Sequence, residues 1–290
     1  MRETFITGSP IKYLKADDWV EFPIRFRWQT GLWFELFEKH FDLIVEDIKR
    51  AKAEDKLIIY LSCPISSREG SYSLTNIEIA RHIARQLEIK WGNRFWILNP
   101  ALYQMESSSG TGLIKRHAHL LSLEKGLVPE IDIEQLHKES PITGGDYLRM
   151  WAKVLIGDSE KNLGNRFDAF YFVGPADTWN FFTNSGTTDL TRGVEDYFAR
   201  KIATNAEFRS CFGEAKEMED TEKEFFRFYT LKAGAHFSLG SHDEYNIWRT
   251  LNVIRGQELG PLSYLPAYFD GRQIGLGMAE TSLTPGYALK

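Results

Sequence analysis

Three short, uninterrupted apolar runs constrain this chain most: Lys56 to Leu61 (Leu-Ile-Ile-Tyr-Leu behind a lysine), Phe95 to Leu98, and Asp168 to Val173 (Ala-Phe-Tyr-Phe-Val behind an aspartate). A strand with one wet face alternates, whereas a run that is apolar at every position is a strand buried on both faces. Turn formers close each run: Cys63-Pro64, Asn99-Pro100 and Gly174-Pro175. Between the runs, apolar residues recur at helical spacing. Ile77, Ala80, Ala84, Leu87 and Trp91 follow the first; Tyr147, Leu148, Trp151, Val154 and Leu155 precede the third; Leu190, Val194, Tyr197, Phe198 and Ile202 follow it. Thr75 and Glu78 have capping-box spacing, and Asp146 and Asp189 stand where N-caps belong. Strands alternating with helices predict an α/β fold with a doubly wound, mostly parallel, flavodoxin- or Rossmann-like sheet.

That pattern occupies residues 56–205, the expected core. Residues 1–55 read as an N-terminal extension, irregular and aromatic to 29 and then an amphipathic helix over 30–53 with Trp33, Leu36, Phe37, His40, Leu43, Ile44 and Ile48 on one stripe. Residues 206–290 read as a C-terminal elaboration packed on the core. In it, Phe225 to Tyr229 is an expected strand and Asp243 to Arg255 an expected helix with Tyr245, Trp248, Leu251 and Val253. The stretch 101–145, with the small-residue loop Ser107 to Gly112, reads as an excursion covering a site.

Composition narrows the function classes. The 290 residues are 43% hydrophobic, enough for a sizeable core. Thirty-five basic residues against 40 acidic ones give a net charge of −5 without any run of like charge, which excludes a nucleic-acid polymer as partner. Cys63 and Cys211 form neither a Cys-x-x-Cys pair nor a disulfide framework, which places the chain in a reducing, cytoplasmic compartment. No apolar stretch approaches the roughly 18 residues of a membrane span, and Met1-Arg2-Glu3-Thr4 does not begin a signal peptide, so no membrane is expected. His117 and His119, spaced as on one side of a strand, have no acid or cysteine nearby to complete a metal set, so no metal is expected.

Ligands of open parallel sheets collect beyond the carboxyl ends of the strands, where loops and helix N-termini converge. Ser62-Cys63-Pro64-Ile65-Ser66-Ser67-Arg68-Glu69-Gly70 follows the first strand and offers hydroxyls and a guanidinium to a phosphate or sugar. It carries no Walker lysine and no Gly-x-Gly-x-x-Gly, so nucleoside triphosphate hydrolysis and dinucleotide redox chemistry lose support. Two acids join it: Asp146 behind Gly144 and Gly145, and Glu195. Read alone, Asp146 is an N-cap, Glu195 a solvated helix residue and Cys63 a packing residue.

Together, Lys56 to Gly70, Gly144 to Tyr147, Asp168 to Val173 and Gly193 to Arg200 resemble the nucleoside 2-deoxyribosyltransferase family and the related 2′-deoxynucleoside 5′-monophosphate N-glycosidases. That family's glutamate motif is Gly-x-x-x-Glu-Leu-Gly. Here Thr191 stands at the leading glycine, and Asp196-Tyr197 replace Leu-Gly. The resemblance implies cleavage or transfer of an N-glycosidic bond of a nucleoside or nucleotide by a retaining mechanism. Glu195 would be the nucleophile, and Asp146 would hold or protonate the base. Ser62, Ser66, Ser67, Arg68 and Gly70 would bind the sugar or 5′-phosphate, Gly145 and Tyr147 would also bind the substrate, and Trp151 or Trp179 would stack on the base, although Trp151 read alone is helix core. No cofactor is implied, and a homo-oligomer is. The alternative is a nucleotide-binding sensor or assembly module of the same fold without catalysis, which the adjacent acids Glu195 and Asp196 favour.

Overall fold

The computed structural model describes residues 3–5, 11–15, 18–22, 27–29, 32–65, 72–105, 108–139, 141–142, 144–157, 164–184, 186–212, 215–234 and 239–276. Two small antiparallel ribbons come first: Glu3–Phe5 (β1) pairs with Arg27–Gln29 (β4), and Ile11–Lys15 (β2) with Asp18–Phe22 (β3). The expected amphipathic helix follows as Leu32–Ala53 (α1), with Trp33, Leu36, Phe37, His40, Ile44, Ile48 and Ala51 buried along one stripe.

The central sheet is built from Leu57–Ser62 (β5), Phe95–Leu98 (β6), Ala169–Phe172 (β7), Ala267–Phe269 (β8) and Arg272–Ile274 (β9), in the order β6-β5-β7-β8-β9. The first four are parallel, and β9 returns antiparallel on β8. Asp270 and Gly271, both at positive φ, make that two-residue turn, the backbone an Asp-Gly pair adopts in tight hairpins. The three apolar runs are thus the three strands the sequence predicts, each within a residue of its expected bounds. Asp168 pins the start of β7 to β5: its N–H reaches Ile58 O at 2.8 Å and its carboxylate accepts the Ile58 N–H at 2.7 Å.

Helices cover both faces. Ile58, Tyr60, Phe170 and Phe172 point into one core with α1, Ser108–Lys125 (α3), Gly144–Ile156 (α5) and Leu239–Glu258 (α10). Ile59, Leu61, Ala169, Tyr171 and Val173 point into the other with Ser73–Trp91 (α2), Pro175–Thr183 (α6), Leu190–Thr204 (α7), Ala206–Ser210 (α8) and Ala215–Gly234 (α9). Short Ile133–Glu139 (α4) lies between α3 and α5 in the chain. The chain is therefore α/β with a five-stranded, mostly parallel sheet, and β8 and α10 come from beyond residue 205.

Four local expectations change. Phe225 to Tyr229 lies in α9, because Phe225, Tyr229 and Ala233 form a buried helical stripe inside an aromatic cluster, with Phe225 and Tyr229 centroids 4.5 Å apart. Ser108 to Gly112 opens α3 instead of forming a loop, and His117 and His119 sit on that helix, where a spacing of two points them apart. Thr75 and Glu78 make no capping box: α2 starts at Ser73 behind Tyr72, Thr75 is buried, and Glu78 pairs with Lys201. Asp146 is the third residue of α5, inside its first turn, while Asp189 does cap α7 and accepts the Arg192 N–H at 3.2 Å.

Candidate functional site

The strand order reverses at β5: its connection through α2 leads to β6 on one side, and the connection from β6 returns to β7 on the other. Crevices open beyond the carboxyl ends of strands at such a reversal. Ser62, the last residue of β5, sits there in register with Phe172 of β7 and is fully buried.

Its partner is Glu244 of α10. The Ser62 hydroxyl donates to one Glu244 carboxylate oxygen at 2.5 Å, and the Tyr60 hydroxyl donates to the other at 2.7 Å. Glu244 is on α10's buried stripe, one turn before Trp248, whose ring lies edge-on to Phe172 at 6.3 Å. Trp248 Nε1 and Asn252 Nδ2 both donate to Leu265 O, at 2.8 and 3.0 Å, and Leu265 N–H returns to Asn252 Oδ1 at 2.7 Å. These bonds fix α10 to the segment entering β8 and so fix the carboxyl.

Burial sets the protonation here. It pushes Glu244 up from the usual carboxylate range to about 7, against the lowering effect of the Ser62 and Tyr60 donors. It also drives the Tyr60 phenol and the Cys63 thiol well upward, with the Glu244 charge adding to both, so the Cys63 sulfur is a neutral thiol. Lys232 of α9 is lowered by burial to about 8. A strongly perturbed, buried carboxyl on hydroxyl donors at the carboxyl end of a strand is a candidate reacting group.

The residues expected from sequence are distributed as follows. Ser62 is in the cluster just described; Ser66, Ser67, Arg68 and Gly70 lie outside the described residues. Gly145 and Asp146 are in the first turn of α5, which packs on α10 and so lies on the sheet face of Glu244. Tyr147 accepts the Met105 N–H at 2.9 Å and meets the Phe37 ring edge-on, a structural placement. Trp179 is on α6, 41% exposed at the surface. Glu195 is exposed on α7, which packs on the opposite face of the sheet from α5. On that helix Gly193, Tyr197 and Arg200 line a cleft of about 290 Å³ with His82, Phe181 and Phe182, and Glu195, roughly 200° round the helix from Gly193, faces away from it. Asp146 and Glu195 are not brought together.

The sequence reading missed Glu244, Lys232 and Asn99. A signal was present for the first: an acid at 244 falls on the apolar stripe with Ile247, Trp248 and Leu251. Among the described residues no group of three or more His, Cys, Asp or Glu side chains is placed to hold a metal ion, and no helix is long and apolar enough to cross a membrane. No family model, curated protein or solved structure matches this chain, so what the site does is read from its own geometry.

Proposed function

We propose that this protein breaks or transfers the N-glycosidic bond of a nucleoside or nucleotide, with Glu244 rather than Glu195 as the reacting carboxylate. The observation that carries this is Glu244 itself: a buried carboxyl, held by two hydroxyls, at the end of β5. The strand order and the two covered faces support reading the sheet as doubly wound, with its ligand crevice at this reversal. Above pH 7 the desolvated carboxylate attacks the anomeric carbon, the base departs, and water or an acceptor base resolves the glycosyl ester with retention. Ser62 and Tyr60 hold the attacking oxygens in place. Asp146, on the same face, is the group that holds or protonates the leaving base.

Chromatography of free base after incubation with nucleosides, deoxynucleosides and their monophosphates tests this. The expected result is release by the wild type, a fall of at least 10²-fold in Glu244→Gln and of 10- to 10²-fold in Asp146→Asn. One observation favours a second reading, a non-catalytic nucleotide-binding module: both Glu244 oxygens are already occupied by protein hydroxyls. Such a module would bind the same compounds and release no base from any.

A further inference from the structure

Lysine is almost never fully buried without a partner of opposite charge. Lys232 is 5% exposed, and among the described residues no carboxylate lies within ion-pair distance of its ammonium. Its hydrogen bond goes to Asn76 Oδ1 at 3.3 Å, and the rings of Phe228 and Tyr229 flank it at 5.4 and 5.9 Å. Cys63 is the group whose charge would act on it, and that thiol is neutral. An ammonium has three N–H donors, so among the described residues two of them meet no hydrogen-bond acceptor.

Further polar groups surround Cys63 and the start of α2. Asn76 belongs to the first turn of α2, whose N-cap Tyr72 supplies no side-chain bond and whose first turn carries no acid. Asn76 also ties this turn to the loop after β5, donating to Ile65 O at 3.2 Å. On the other side of Cys63, Asn99 Oδ1 accepts the Ala101 N–H at 3.0 Å and lies 3.9 Å from the Cys63 sulfur. The Asn99 Nδ2, on a residue only 1% exposed, has no hydrogen-bond partner among the described residues. A buried cation, a buried unpartnered N–H group and an uncapped helix start, all around the end of β5, match the needs of an oxyanion.

We infer that Lys232, Asn99 and the first turn of α2 form an oxyanion site, and that it holds the phosphate of the substrate whose anomeric carbon meets Glu244. The second half rests on the N-glycosidic reading; the first does not. The inference gives the region beyond residue 205 a role: α9 supplies the cation and α10 supplies Glu244, from the two faces of the sheet, and the charges of both act on Cys63 at the end of β5.

Isothermal titration of the full chain with inorganic phosphate tests the site without reference to activity. Wild type is expected to bind phosphate saturably at one site. Lys232→Met should weaken that binding at least tenfold, and Glu195→Gln, an exposed position on α7, should leave it within threefold. Lys232→Met keeps the apolar stem and is expected to unfold no earlier than wild type. Asn99→Asp is the second variant: it keeps the acceptor for Ala101, puts an anionic oxygen in place of the donor, and should also cost at least tenfold. No saturable binding by wild type, or an unchanged affinity in both variants, overturns the site. Competition by a nucleoside 5′-monophosphate, together with base release at least tenfold faster from it than from the nucleoside, supports the substrate assignment. Phosphate binding that the monophosphate does not displace overturns that assignment in favour of free phosphate. Displacement without base release from any compound leaves the oxyanion site standing and removes the glycosidic reading.

Discussion

Glu244 ties stability to pH in a direction unusual for a carboxylate. Its folded value of about 7 lies above its ordinary 4.5, so the folded state binds the proton more tightly than the unfolded one. That contribution is complete below pH 4.5 and is lost as pH rises through about 7. Lys232 works in the opposite sense: its folded value of about 8 lies below 10.5, so the cost of its buried charge is complete below pH 8 and is relieved between pH 8 and 10.5. Denaturant midpoints at pH 5 and pH 8 are therefore expected to converge in Glu244→Gln. At pH 8 that variant should be more stable than wild type by about 1–3 kcal/mol, because it buries no charge, keeps an acceptor for one of the two hydroxyls and donates its amide N–H to the oxygen of the other. A variant less stable than wild type at pH 8 would show that the ionised carboxylate holds the fold together. Base release should rise with pH through about 7 as Glu244 ionises.

At the scale of elements, the packing of α7 and α9 decides how the second face is covered. A Cβ at Gly193 would stand 2.6 Å from the Phe182 carbonyl oxygen, backbone that cannot step aside. Gly193→Ala should therefore cost about 1–3 kcal/mol in urea unfolding even though alanine favours helix. Phe225, fully buried between Tyr72, Phe198, Phe208 and Tyr229, should cost about 3–5 kcal/mol when cut to alanine. Legibility in the sequence followed burial on two faces. Strands β5, β6 and β7 are apolar at nearly every position, so composition and length alone reveal them, and α1 declares itself by its stripe. The Phe-Phe-Arg-Phe-Tyr run of α9 has β-rich composition, and only its tertiary neighbours decide that the 225-229-233 spacing governs. Strand β8 is three residues long, too short for any periodicity, although the Asp270-Gly271 turn beside it was a readable hairpin signal. Glu244 is an acid on an apolar stripe, and its partners Tyr60 and Ser62 lie more than 180 residues away, which no local pattern connects.

Over the whole molecule, the sheet is finished by the end of the chain. β8 pairs with β7, and α10 closes the face on which Tyr60 and Ser62 meet Glu244. A chain ending at residue 205 would leave β7 as an exposed edge and remove the apolar cover supplied by Trp248, Leu251, Phe225 and Tyr229. It is expected to show no cooperative thermal transition by circular dichroism; a sharp transition would make 56–205 a self-sufficient core. Folding and site assembly are thus one event, since the carboxyl and the ammonium arrive on the last two long helices. The most direct measurement of the central claim compares base release by wild type, Glu244→Gln and Glu195→Gln on one nucleotide panel. Release that falls at least 10²-fold in Glu244→Gln and stays within threefold of wild type in Glu195→Gln is predicted. Release lost in Glu195→Gln and kept in Glu244→Gln would contradict it.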